Sequence, residues 1–421
     1  MTVAEIRRSA TRAAAAHQTT PQPAALPPAI ILGGSVNALS IARSLGRHGV
    51  AVYALNQPHA YVHASRYARR IDIPLRGDTA AAWLEYLSGA ESGPLRGAVL
   101  LAAGDEGIDF LIRRREALAG KYRLDECEPA AQRCMLNKLC TYQAATAAGV
   151  ATPRYWVATS RAEIDRVRSE LVYPLIVKPQ LSHLFEAHFG TKFLVVDRFD
   201  ELGTALDTAA AARFDVLLME KIVGPDDRLA SYYTYLDEQG VPLFDFTKRI
   251  LRRFPVNMGA GCYHITHRDP ELRALALRLF QHVGLRGLAN AEFKHDDRDG
   301  QWKLIECNAR FTAANGLLMD CGLDLPWFVY SRLVGLAPPP MSNYRSGVRL
   351  WYPVEDFKAF LQLRRRGELT LWRWLASVLH PQTLPYFRFR DPWPSVVGAW
   401  RRIAGLVWRG VRPTTPRAVE R

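Results

Sequence analysis

The chain has 421 residues, 48% of them apolar and 23% charged. That is close to the globular average and long enough for several cores, so wholesale disorder is excluded. No apolar run reaches the roughly 18 residues that cross a bilayer, and six cysteines without zinc spacing or tight pairing read as free thiols of a reducing cytoplasm. The net charge of +14 is unevenly spread: residues 341–421 carry 15 basic and 5 acidic side chains and six of the ten tryptophans. The preceding 340 residues are nearly balanced, so the tail reads as a part with its own role.

Residues 1–28 are rich in Ala, Pro and Thr without periodicity and read as a disordered leader. Its Ala13–Ala16 run is too short for a signal-peptide core. From Ala29 a short apolar strand ends in Gly33-Gly34, followed by a helical pattern over Val36–His48 and a second strand at Val50–Leu55. Gly97–Ala103 and a helix from about Asp105 to Ala119 repeat the order, predicting a parallel α/β domain over 29–120. The Gly33-Gly34 turn lacks the dinucleotide G-x-G-x-x-G spacing, and the second strand leads into Asn56 instead of an acid, which argues against an NAD domain.

Residues 121–215 change pattern: a helix from Lys138 stopped by Gly149, then strands at Leu175–Lys178 and Phe193–Val196 around a Gly- and His-containing loop, Gln180–Lys192. In 216–337, strands are predicted at Val216–Ile222, Arg228–Leu236 and Pro242–Ile250, and a helix at Leu272–Val283. A hairpin pairs Gly287–Lys294 with Trp302–Asn308. Pro338, Pro339 and Pro340 mark the boundary before the 338–421 extension.

The densest chemistry lies on that hairpin. Strand alternation puts Glu306, Asn308 and Arg310 on one face, and pairing can set Glu292 opposite Glu306. Two carboxylates and an amide oxygen make a hard, oxygen-only site suited to Mg²⁺ bridging phosphates; the competing reading is solvated charge on edge strands. Only nine of the 55 cations are lysines, so Lys138 at a helix start and Lys178 at the end of an apolar strand carry information. The apolar strand ending Glu220-Lys221-Ile222 can offer backbone groups to an adenine edge, with Asp227 within reach of a ribose. Arg249, Arg252 and Arg253, followed by a Gly-containing loop, read equally as a carboxylate-binding cluster or a solvated basic surface. His183 and His188 read as ordinary loop histidines more readily than as acid/base groups, and Asp105-Glu106 as a helix start more readily than as a substrate contact.

Taken together and in this order, these elements resemble the ATP-grasp superfamily. The elements are Asn-Lys138…Ala-Gly-Val, Tyr-Pro-Leu-Ile-Val-Lys178-Pro, Met-Glu220-Lys-Ile, Glu292-Phe and Glu306-x-Asn308-x-Arg310. The resemblance spans about 30–337. It is nearest the carboxylate–amine ligases similar to D-aspartate ligases, on Gly33-Gly-Ser-Val-Asn37-Ala-Leu and Ser65-Arg-Tyr. It implies a mixed α/β and α+β fold: a pre-ATP lobe (29–120), a small lid lobe (121–215) and a large lobe (216–337), with the basic, Trp-rich helical extension added.

By position it implies Lys138 and Lys178 on the α- and β-phosphates, and Glu220, Lys221 and Ile222 on adenine. Asp227 falls on the ribose, Glu292, Glu306 and Asn308 on Mg²⁺ (or Mn²⁺), and Arg310 beside the transferred phosphoryl group. Asn37 and the arginines Arg249 and Arg252 are the substrate candidates. The loop departs from the family pattern, with Gly190 alone where several glycines are common, so either side chains such as Lys192 take over phosphate contacts or the lid is looser and turnover slower.

The implied activity is ATP-dependent joining of a carboxylate, such as an amino acid, to an amine through an acyl phosphate. D-aspartate attachment to a peptidoglycan precursor is the narrower form, and a non-catalytic nucleotide-binding scaffold the alternative from another class. In the tail, Val396, Trp400, Ile403 and Val407 form one helical stripe beside Arg401, Arg402 and Arg409. Packing on the core or on another subunit, peripheral contact with an anionic membrane through 357–409, and nucleic-acid binding all remain open at this point, in that order of expectation. The expected location is the cytoplasm, peripheral to the inner membrane face.

Overall fold

A computed structural model describes residues 25–74, 78–157, 161–180, 185, 188, 189 and 193–411, with the backbone alone for 161 and 405–411. Most of the expected leader, most of the 180–192 loop including Ser182, His183, Gly190, Thr191 and Lys192, and the last ten residues lie outside the described residues, as do the side chains of Val407 and Arg409.

Three sheets organise the chain. The first is parallel, ordered β3-β2-β1-β4-β5: β1 (Ala29–Leu32), β2 (Val52–Leu55), β3 (Arg69–Arg70), β4 (Val99–Ala102) and β5 (Arg123–Leu124). β1 and β4 are buried along their whole length because helices cover both faces, including α1 (Val36–Arg47), α2 (Thr79–Ser88) and α3 (Asp105–Ala119). Gly34, at φ +80°, crosses so close to β4 that an added Cβ would lie 2.5 Å from the Ala103 carbonyl.

Two helices, α4 (Pro129–Leu136) and α5 (Lys138–Ala147), lead to the second, antiparallel sheet, ordered β6-β9-β7-β8. It comprises β6 (Tyr155–Val157), β7 (Leu175–Pro179), β8 (Leu194–Val196) and β9 (Val216–Glu220), with α6 (Arg161–Val167) and α7 (Phe199–Ala211). The expected six free thiols are corrected here. The turn at Asn137 between α4 and α5 brings Cys134 and Cys140 to a Cα separation of 5.1 Å, and they are disulfide-bonded.

The third sheet, β14-β13-β10-β11-β12-β15-β16, is the large one. Its strands are β10 (Leu229–Leu236), β11 (Phe246–Phe254), β12 (Ala260–His267), β13 (Gly287–Asp296), β14 (Gln301–Asn308), β15 (Arg349–Trp351) and β16 (Gln382–Thr383). Period-two alternation divides its faces. Tyr232, Ala289, Ala291 and Phe293 pack with Leu272, Ala276 and Phe280 of α8 (Pro270–His282). Ser231, Asn290 and Glu292 therefore point to the other side. The hairpin forms as expected. The strand expected at Pro242–Ile250 instead begins at Phe246 and runs to Phe254, and Ala260–His267, where no strand is expected and the Gly-containing loop extends to Gly261, is a strand held by β11 and β15.

The chain continues through α9 (Asn315–Cys321) and α10 (Leu325–Val334) and past the three prolines without leaving the core. Met341, Tyr344 and Leu350 join the buried cluster that contains Phe246 and Phe328. Next come α11 (Pro353–Arg365), α12 (Leu371–Val378) and α13 (Trp393–Val411). Fully buried Asp356 accepts from Arg252 at 2.6 and 3.0 Å, from Trp351 Nε1 at 3.0 Å and from Trp374 Nε1 at 2.9 Å. Asp391 takes Arg43 at 2.8 Å, the Ser65 hydroxyl at 2.8 Å and the Arg66 amide at 3.0 Å. These two carboxylates tie the extension to the large sheet and to the first domain, so the prolines interrupt the chain and not the packing.

Asp356→Ala leaves the Arg252 guanidinium buried without its carboxylate, which costs about 3–5 kcal/mol. Urea unfolding at unchanged m is expected to show that loss; a change below about 1 kcal/mol would mean the extension contributes little to the large lobe.

Candidate active site

The site is built where the three parts meet. On the free face of the large sheet, Glu292 of β13 lies directly opposite Glu306 of β14, and Asn290 opposite Asn308. The Asn308 amide donates toward Asn290 Oδ1 at 3.3 Å and toward Glu306 Oε1 at 3.4 Å. Two lysines approach from elsewhere: Lys138 Nζ, at the start of α5, stands 3.3 Å from Glu306 Oε2, and Lys178 Nζ, from β7, 4.0 Å from the same oxygen.

Local structure fixes both cations. Asn137 caps α5 by accepting from the Cys140 amide at 3.0 Å, and the Lys138 amide donates to the Gln180 carbonyl at 3.1 Å, which anchors α5 to the end of β7. Lys178 Nζ also donates to the Ile305 carbonyl at 3.4 Å. Both lysines are buried.

Arg310 follows β14 and pairs with Asp105 at the start of α3, binding the first domain to the β13–β14 hairpin. Burial would raise the Asp105 carboxyl, but the Arg310 guanidinium outweighs it and holds the group below its ordinary value. Burial likewise opposes the Arg310 charge, and Asp105 more than restores it. The reading of Asp105 as a helix-start residue therefore holds, with this second role added. Asn37 is also engaged: it accepts from the Ser35 amide at 2.7 Å and donates to the carbonyls of Ala103 and Phe311.

The adenine and ribose candidates are placed differently from one another. Glu220, 2% exposed, accepts from the Arg154 amide at 2.9 Å and pairs with Arg154 at 3.2 Å and Arg298 at 3.1 Å. Burial raises its pKa, and these donors bring it below the ordinary value. The Ile222 and Gly224 carbonyls accept from Lys294 Nζ at 3.0 and 2.7 Å, and Lys221 is half-buried. Asp227 is exposed, whereas Asp226 is buried against Arg253 and the Asn257 amide. Of the substrate candidates, Arg249 lies exposed on β11, and Arg252 is bound by Asp356 as described. Lys192 lies outside the described residues.

One cation, which in the sequence reads only as a neighbour of the Arg249, Arg252 and Arg253 cluster, has a place of its own. Lys248 sits opposite Ser231, which sits opposite Glu292, so Glu306, Glu292, Ser231 and Lys248 form one row across four strands. Burial depresses the Lys248 pKa, and the Glu292 carboxylate works against that. The Ser231 hydroxyl between them is buried without a hydrogen-bond partner. The signal was available: strand parity puts Lys248 on the same face as Phe246 and Ile250 and opposite to Arg249. Among the described residues no three His, Cys, Asp or Glu side chains cluster to hold a metal, so any ion here rests on two carboxylates and an amide.

No family model matches the chain. A D-alanine–D-alanine ligase of Ectopseudomonas mendocina is 30% identical over 188 residues, which are 41% of this chain and 55% of that protein. The chain thus spans about half the length of that relative. A D-aspartate ligase of Enterococcus faecium is 22% identical over 364 residues, 80% of this chain and 85% of that protein. Among solved structures, the ADP complex of N5-carboxyaminoimidazole ribonucleotide synthetase superposes with a TM-score of 0.60 at 16% identity, over 77% of this chain and 81% of that one. The chain has the ATP-grasp fold. In ATP-grasp terms the first sheet is the pre-ATP lobe, the second the small lobe and the third the large lobe. Glu306 is the point on which lysines of the small lobe and of α5 converge.

Behind Arg310, Asp125 joins the pre-ATP lobe to the large sheet by accepting from the Tyr235 hydroxyl at 2.6 Å. Burial pushes its carboxyl up to about 6. The folded state therefore holds a proton that the unfolded chain has released, and stability falls as pH rises from about 4 to about 6. Asp125→Asn keeps the acceptor and removes the ionisation. Its thermal midpoint is expected to exceed the wild type's above pH 6 and to converge with it near pH 4; a constant difference across that range would contradict the assignment.

Proposed function

We propose that the chain is an ADP-forming ligase that joins a carboxylate, of the amino-acid class, to an amine, using ATP and Mg²⁺. One observation carries the reading: Lys138 and Lys178 converge on the Glu306 carboxylate, which stands opposite Glu292. The relatives named D-alanine–D-alanine ligase and D-aspartate ligase support it. The narrower reading, D-aspartate attachment to a peptidoglycan precursor, is favoured by the D-aspartate ligase likeness over 80% of the chain. A scaffold without activity has no use for the complete Glu292, Glu306, Asn308 and Arg310 set. We further place the protein on the cytoplasmic side, peripheral to the membrane, and read Mn²⁺ as an acceptable substitute for Mg²⁺.

The donor set suits Mg²⁺. Glu292, Glu306 and, after rotation of its amide, Asn308 offer only hard oxygens, and an ion preferring six ligands fills the remainder from phosphates and water. When bound, the ion neutralises and aligns the phosphates. The chain's own residues do the rest. Lys138 and Lys178 exchange the Glu306 oxygen for phosphate oxygens, and Arg310, oriented by Asp105, faces the reacting end. Lys248, in line with Glu292, adds positive charge on the same face. Glu220 acts on the adenine edge indirectly, by holding β9 through Arg154 and Arg298 so that the Lys221 and Ile222 backbone is fixed; Asp227 or Asp226 serves the ribose.

The substrate carboxylate oxygen attacks the γ-phosphorus and ADP leaves. The amine nitrogen then attacks the acyl carbon, expels phosphate and loses a proton. Such transfer depends mainly on charge neutralisation and alignment, which these cations supply.

Glu306→Gln is expected to leave the thermal midpoint near that of the wild type and to lower Mg²⁺-dependent ADP release by about a thousandfold, roughly 4 kcal/mol of barrier. Wild-type turnover at saturating ATP and substrates would remove Glu306 from the site. With ATP and acid alone, hydroxylamine should trap a hydroxamate, and ¹⁸O from the carboxylate should appear in released phosphate. AMP and pyrophosphate as products would instead mean adenylation.

A further inference from the structure

The carboxyl-terminal extension is pinned to the core on one side and left apolar on the other. Among the described residues, eleven of the seventeen large apolar side chains that are exposed lie between Val354 and Ile403. They include Phe389 at 92% exposure, Trp372 at 78%, Trp400 at 70% and Trp393 at 60%. The stripe of α13 is therefore turned outward: Val396 and Ile403 are half-exposed as well, at 49% and 57%. α12 has no buried residue.

The three helices that carry most of these residues pack against one another and against the core. The Phe360 ring of α11 stacks on Trp374 of α12 with centroids 4.8 Å apart. Arg402 of α13 reaches Glu355 of α11 at 3.3 Å, and Arg401 donates to the His59 carbonyl at 2.7 Å. Gly398 seats α13 against Tyr61, where a Cβ would come within 2.6 Å of the ring, and this fixes which face of the helix turns outward.

Charge selects the occupant. Residues 353–404 contain nine Lys and Arg but four acids. Asp356 and Asp391 are buried in ion pairs with arginines outside this segment, Glu355 pairs with Arg402, and Arg388 pairs with Asp320, which leaves seven cations against exposed Glu368. Solvent thus meets a cationic surface set with tryptophans. A second copy would bring like charge against like. Tryptophan and arginine around an apolar face suit the headgroup level of an anionic bilayer, and no described helix is long and apolar enough to cross one.

We propose that α11, α12 and α13 form a single docking face for an anionic lipid bilayer, into which Trp372, Trp393 and Trp400 insert while Arg364, Arg365, Arg366 and Arg373 meet the headgroups. This gives the peripheral location a specific surface, and it stands or falls separately from the ligase activity.

The test is co-sedimentation of the full chain with vesicles of phosphatidylcholine alone or with 30% phosphatidylglycerol, at 50 and 500 mM salt, with ADP release measured in parallel. Partition into the anionic vesicles is expected to exceed that into neutral ones by at least tenfold and to be lost at high salt. Because each basic residue near such a surface contributes about a fivefold factor, a triple Arg→Glu change at 364, 365 and 366 should lower partition by about a hundredfold or more. Trp400→Asp, at an exposed position, should also release the protein while the thermal midpoint and ADP release stay unchanged. Equal binding to both vesicle types, binding to neither, or a solution dimer that Trp400→Asp dissociates would each overturn the proposal.

Discussion

Two carboxylates, Glu292 and Glu306, are held opposite one another by the register of β13 and β14. Like charges in directly opposed cross-strand positions repel, so this pairing persists only where other parts of the chain deliver positive charge. Lys138 arrives from α5, Lys178 from β7 and Lys248 from β11. Three separate elements of sequence are thereby committed to one point, and the arrangement of the lobes follows from bringing them there. Arg310 and Asp105 extend the same logic by joining the pre-ATP lobe to the end of β14 with a part-buried charge pair.

Much of this was legible in the sequence because it rests on strand parity. Alternation put Glu306 and Asn308 on one face, and the Asp-rich turn marked the hairpin, but the bulge between Phe293 and Glu292 that brings Glu306 rather than Ile305 opposite Glu292 carries no local signal. Lys178 stood out at the end of an apolar strand. What stayed hidden depended on long-range partners. Arg252 looked like a substrate cation because nothing local showed that Asp356, about a hundred residues on, would neutralise it. Lys248 was masked by the arginines beside it. Cys134 and Cys140 showed no familiar spacing, since it is the bend at Asn137 between two helices that brings them together.

The extension illustrates the same difference on a larger scale. Composition marked it as separate, and the three prolines reinforced that division. Composition reports the outer surface, however, whereas attachment is decided by a few inward residues: Leu350, Asp356 and Asp391. The segment is thus part of the fold on its inner side and cationic and apolar on its outer side. The chain so built carries its candidate site and a second, chemically distinct surface on one fold.

On the proposed function, Glu292 and Glu306 hold a divalent ion only together with a nucleotide whose phosphates replace Glu306 as partners of the two lysines. Electron paramagnetic resonance of Mn²⁺ titrated into the full chain, with and without ADP, addresses it directly. One tightly bound ion per chain is expected with ADP present, and weak binding without it. Mn²⁺ affinity that is indifferent to ADP, or ADP binding that is equally tight in the presence of a chelator, would contradict it.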